Sequence, residues 1–82
     1  MQHVEAFDKA KVHVESFSDS FANIYYDDSY VGSVIRLGHA YRGTVQIAKG
    51  ARVMLDNCDD AESLAEAATL VARSYYTTQG RS

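Results

Sequence analysis

Four side chains in this 82-residue chain are of the types that most often act as nucleophile, general base or soft-metal ligand: His3, His13, His39 and Cys58. No pair of histidines has the H-x-x-x-H spacing, and none stands next to Cys58 in sequence. A structural zinc ion needs four ligands held together in space. Nothing in this spacing supplies them, so the histidines read as surface or strand residues. Cys58 sits among Asp56, Asp59 and Asp60. A helix N-terminus lowers a thiol pKa, but flanking carboxylates raise it. With no base beside it, Cys58 reads as unreactive. The run Asp56-Asn57-Cys58-Asp59-Asp60 has the look of a calcium loop, yet its third position is Cys58, its sixth Ala61 and its twelfth Ala67. Each breaks the EF-hand pattern, which leaves a turn and helix cap. Gly32, Gly38 and Gly43 are not followed by Lys-Ser/Thr, so no phosphate loop is present. They suit a bulge, a turn, and relief beside a large neighbour such as Tyr41. The expectation is a non-enzyme with no metal and no cofactor.

Charge and aromatic content carry more information. From Ser29 to Leu55 there is no acid, yet Arg36, Arg42, Lys49 and Arg52 occur. From Asp56 to Ala72 there is no base, yet Asp56, Asp59, Asp60, Glu62 and Glu66 occur. The blocks predict a basic region on the middle strands and an acidic region at a helix start, although solvated surface produces similar blocks. Tyr25 and Tyr30 are expected on the solvent side of a sheet with Arg36, Arg42, Thr44 and Gln46. Tyrosine and arginine on a rigid surface are favoured in protein interfaces, because they give contact area at little rotamer cost. The same tyrosines could simply shield a sheet edge.

The elements that must position these groups follow from periodicity. Residues 10–17 alternate, with Val12 and Val14 on one side and Lys11, His13 and Glu15 on the other, so they form a half-buried strand. Residues 21–26 form a second strand with Ala22, Ile24 and Tyr26 on one face. Residues 30–37 form a third, with Val31, Ile35 and Leu37 inward and Tyr30, Val34 and Arg36 outward. Residues 41–48 form a fourth, with Tyr41, Val45 and Ile47 inward. Residues 51–55 are a fifth short strand or a packed connector. Turn residues at Ser18–Ser20, Asp27–Ser29 and Gly38–Ala40 separate these runs, so neighbours pair antiparallel. The C-terminal run AESLAEAATLVARSYY places Leu64, Ala67, Ala68, Val71 and Tyr75 at helical spacing, opposite Glu62, Glu66, Thr69 and Arg73. Asp59 is the expected N-cap, with Glu62 three residues on, and Arg73 is expected in the last turns. Residues 1–9 stay open between helix and strand. The fold class is α+β: an antiparallel β-meander of about four strands, closed by one C-terminal α-helix, in a single domain spanning 1–82.

Bulk composition agrees with a small folded domain. Apolar residues make up 46% and charged residues 23%, with no proline, which argues against disorder. A chain this short buries roughly 60–65% of the surface exposed when unfolded, leaving little core to give up to a catalytic cavity. No apolar run approaches the ~20 residues of a membrane span, and MQHVEAFDKAKV is not patterned as a signal peptide. One cysteine cannot form an internal disulfide, so a reducing cytoplasm is the expected location. A formal charge of −3 discourages non-specific nucleic-acid binding.

The span NIYYDDSYVGSV, a basic strand, and then DAESLAEAATLVA resembles short β-meander-plus-helix proteins of phages and mobile elements, including anti-CRISPR and other anti-defence inhibitors. That resemblance implies a protein that occupies a surface of a host defence complex. DDAESLAEAATLVA is also similar to the helix of HicB-type antitoxin domains. Neither resemblance carries a functional residue onto a numbered position. The expected function is therefore protein binding, through Tyr25, Tyr30, Arg36 and Arg42, or through Asp56, Asp59, Asp60, Glu62 and Glu66 acting as phosphate mimics. The alternatives are a nucleic-acid-binding sheet in which tyrosines stack on bases and the cations meet phosphates, or, as the second resemblance implies, a HicB-like antitoxin. A homodimer would also suit a chain of this size.

Overall fold

The computed structural model describes residues 7–79. Most of the segment left open above, residues 1–6, lies outside the described residues, as do His3 and Gly80. The chain forms five strands in meander order, β1 (Val12–Ser18), β2 (Phe21–Tyr26), β3 (Ser29–Leu37), β4 (Ala40–Lys49) and β5 (Arg52–Asn57), then one helix, α1 (Leu64–Gln79). Every neighbouring pair is antiparallel. The fold class read from sequence is the one observed, with the 51–55 segment resolved as a strand that runs on through Asp56 and Asn57. The hairpins are tight. Asp27 and Asp28 both take positive φ, 51° and 68°, the type I′ arrangement that matches the twist of the paired strands.

The helix covers one face of the sheet. Its Ala67, Ala68, Val71 and Ala72 form one buried cluster with Ile24, Val31, Val34, Val45 and Ile47 of the sheet. Two glycines set how closely it approaches. A Cβ added at Gly43 would collide with Val71 Cγ2, and one added at Gly32 would meet both Val71 Cγ1 at 2.8 Å and the Thr44 carbonyl oxygen. Gly32 and Gly43 thus form a saddle that seats Val71. The large neighbour relieved by Gly43 is Val71 rather than Tyr41. Beyond the saddle, Phe7 stacks on Tyr26 with ring centroids 5.2 Å apart, Tyr76 meets both rings edge-on, and the Arg73 guanidinium lies 5.3 Å over Phe7.

Two readings of the helix need correction. Its N-cap is Ser63 rather than Asp59: the Glu66 amide donates to Ser63 Oγ at 3.1 Å and the Ala67 amide to the Ser63 carbonyl at 3.0 Å. Ser63-x-x-Glu66 is itself a capping-box sequence one turn later. Ala61, in the expected first turn, instead pairs with Tyr41 through two 2.8 Å backbone bonds. The helix ends at Gln79, which leaves Arg73 within its last two turns, as expected.

The most consequential correction concerns β3. Opposite Ile24 and Tyr25 the register slips: Ile24 pairs with Gly32, but Tyr25 pairs with Tyr30. Val31 is the extra residue of a β-bulge. A single inserted residue reverses the phase of side chains beyond it. Val31 and Val34 are therefore both buried, whereas Ile35 and Leu37 point away from the helix and are 39% and 43% exposed. Arg36, alternating with them, falls on the helix side, where it remains exposed.

Candidate docking face

The face opposite the helix is open, and cross-strand register places its side chains in rows. Next to the bulge, His13, Tyr25 and Tyr30 stand side by side. The Tyr25 and Tyr30 rings meet edge-on at 5.7 Å, and the Tyr25 hydroxyl donates to Glu15 Oε1 at 3.3 Å. Partial desolvation, then the Glu15 charge, raises the Tyr25 pKa above its ordinary value, so the phenol stays a neutral donor. The middle row is polar across the whole sheet: Glu15, Asn23, Ser33, Thr44 and Asn57 are successive register partners. A third row is mostly apolar. Phe17 stacks with Phe21 at 6.0 Å, Phe21 pairs with Ile35 and Ile35 with Arg42, while Leu37 lies two residues further along β3 on the same face. On β5, Val53 and Leu55 share this outer face through their pairing with Ala48 and Gln46 and are 60% and 67% exposed.

The structure brings together only part of the expected site. Tyr25 and Tyr30 lie on the outer face as read. Arg42 does too, but it is not free: its Nε donates to Asp60 Oδ1 at 2.9 Å and its Nη2 to Oδ2 at 3.4 Å. That bonding raises the guanidinium pKa and holds Asp60 below the ordinary carboxylate range. The two surfaces proposed as rivals, basic sheet and acidic helix start, are thus joined at this ion pair. Arg36 lies on the opposite face, with its Nε donating to the Gly38 carbonyl at 3.0 Å. The β-bulge is the reason, since it reverses the alternation that would have kept Arg36 beside Tyr30. Arg52 and Asp56 likewise share the helix-side phase of β5. The acids are spread over three elements: Asp56 on β5, Asp59, Asp60 and Glu62 in the connection, Glu66 on α1.

Sequence reading missed the largest contributors to this face, Phe17, Phe21, Ile35, Leu37, Val53 and Leu55. One signal was present: Gly32 inside a strand marks a bulge, and a bulge there exchanges Val34 for Ile35 as the inward residue. Among the described residues, no group of three His, Cys, Asp or Glu side chains is placed to hold a metal ion. Cys58 is half-buried, and burial, then Asp59 and Asp56, push its thiol pKa upward. No described helix is long and apolar enough to cross a membrane. Comparison of the chain with protein-family models, with curated proteins and with solved structures gives no match.

Proposed function

We propose that this protein is a non-enzymatic binding module whose docking surface is the outer face of its sheet. The observation that carries the reading is the exposed apolar group Phe17, Phe21, Ile35 and Leu37 on the outer face, which the Tyr25–Tyr30 pair shares. Contiguous apolar and aromatic groups on a rigid, uncovered sheet offer area and little entropy to lose on contact. The polar row between them supplies hydrogen-bonding groups that fix orientation. The most specific form of this reading follows the resemblance to phage-encoded inhibitors: stoichiometric occlusion of a surface on a host defence complex. Occlusion by the sheet suits this geometry better than phosphate mimicry, because Asp60 is neutralised by Arg42 and the other acids are dispersed. Nucleic-acid stacking loses support for a related reason, since Arg36 and Arg52 lie off the tyrosine face and Arg42 is paired.

The test is expression of the chain in bacterial strains that each carry one defined defence system, challenged with a phage the system restricts. Restored plaque formation in one strain is expected, together with co-purification of that system's complex. Ile35→Glu and Tyr30→Ala should abolish both while leaving the circular dichroism spectrum unchanged. Joint charge reversal of Asp59, Glu62 and Glu66 should leave both intact. If reversal of the acids abolishes binding and Ile35→Glu does not, the sheet-face assignment is wrong.

A further inference from the structure

The two edges of the sheet differ. β1 has a bulge at Phe17 and presents His13 and Glu15, devices that discourage another strand from adding. β5 has no bulge, and its two charged residues, Arg52 and Asp56, both lie on the helix side, opposite Val53 and Leu55. It is regular through all six residues, exposed throughout, and hydrogen-bonded on one side only. The Cys58 amide donates to the Gly43 carbonyl, which fixes the alternation. Asp56, Met54 and Arg52 exchange backbone bonds with β4, while Val53, Leu55 and Asn57 direct their amides and carbonyls outward.

We propose that β5 is a homodimerisation edge, pairing antiparallel with β5 of a second copy about a two-fold axis at Met54. The sequence of the strand selects this occupant. Written as Arg52-Val53-Met54-Leu55-Asp56, it is complementary to its own reverse. Antiparallel pairing about Met54 sets Arg52 against Asp56 of the second copy, twice by symmetry. It sets Val53 against Leu55, twice, and Met54 against its own equivalent. The backbone phase agrees. Val53 and Leu55, whose polar groups point outward, become hydrogen-bonded pairs and close four main-chain bonds. Arg52 and Asp56 fall at non-hydrogen-bonded positions, where facing side chains approach most closely, with Cα atoms about 4.5 Å apart. Both lie on the helix side, so their charges meet on one face, and the apolar pair meets on the other. The pairing is isologous, and the opposite edge is protected, so assembly stops at two copies in one continuous ten-stranded sheet.

Sedimentation velocity and light scattering on the full chain should give twice the 9.1 kDa chain mass. Leu55→Pro removes an amide that no internal bond uses and should yield a folded monomer. Arg52→Asp and Asp56→Arg should each raise the dimer dissociation constant about ten-fold or more, and combining them should restore the dimer. Mixed isotope labelling should give intermolecular contacts between Val53 and Leu55 methyl groups. Ile35→Glu and Tyr30→Ala, on the central strand β3 and two strands from this edge, should leave the dimer unchanged, which separates this interface from the docking face. A monomeric wild-type chain at 0.1 mM, on the order of the concentration such contacts need, overturns the proposal. So does a dimer that survives Leu55→Pro and both single charge reversals.

Discussion

Substituting Gly43 by alanine should uncouple the helix from the sheet in a way that one further change repairs. The added methyl would collide with Val71 Cγ2, and Val71 has no exposed surface. Overpacking of this kind costs about 1–3 kcal/mol, partly offset by about 0.4–1 kcal/mol from the less flexible unfolded chain. The net loss should be about 1–2 kcal/mol. A domain of this length has roughly 4–12 kcal/mol in total, and the melting temperature should fall by about 5–15 °C. Val71→Ala alone removes two buried methyl groups and should cost about 2 kcal/mol. In the double variant the new methyl at position 43 occupies space vacated by Val71. The two losses should therefore fall short of additivity by at least about 1 kcal/mol. Gly32→Ala provides the contrast. Its methyl would strike the Thr44 carbonyl oxygen, a main-chain atom of the neighbouring strand, and Val71→Ala removes only the second collision, at 2.8 Å. Little rescue is expected there. Urea unfolding followed by far-ultraviolet circular dichroism and tyrosine fluorescence would measure the unsubstituted chain and all five variants, the chain having no tryptophan. A Gly43→Ala loss below about 0.5 kcal/mol, or full additivity with Val71→Ala, would refute the saddle as the feature that seats the helix.

Three further outcomes are expected. Replacing Asp27-Asp28, both at positive φ, with Asn-Gly should stabilise the β2–β3 hairpin by about 1 kcal/mol, because that pair accepts the type I′ conformation at lower cost; an unchanged urea midpoint would contradict it. Ser63→Ala should cost about 1 kcal/mol and Asp59→Ala only a few tenths, since Ser63 accepts the Glu66 amide; the reverse ranking in thermal melts would return the cap to Asp59. Burial and the charges of Asp59 and Asp56 raise the Cys58 pKa, so less of the reactive thiolate is present near neutral pH than in an ordinary thiol. Alkylation should accelerate only at higher pH, and Asp59→Asn should move the inflection down; an inflection below that of a free thiol would disprove the assignment.

The order of the elements, the inward residues of β1, β2 and β4, and the buried stripe of α1 were legible in the residues themselves. Period two and period 3.6 are local properties, and Val12, Ala22, Ile24, Val45, Ala67 and Val71 express them without outside help. Turn chemistry at Asp27-Asp28 and Gly38 is equally local. The composition of the open face was decided by tertiary structure. Val31, Val34, Ile35 and Leu37 are all apolar, so side-chain type alone does not say which pair faces the helix. The extra residue opposite Ile24 and Tyr25 chose Val34 over Ile35 and carried Arg36 to the helix side. Pairing between distant segments settled the rest: Ala61 joined Tyr41 and pushed the helix start to Leu64, and Asp60 reached Arg42 across 18 positions of sequence. A register shift and an ion pair both depend on where a second segment lies, which no local pattern in the first can specify.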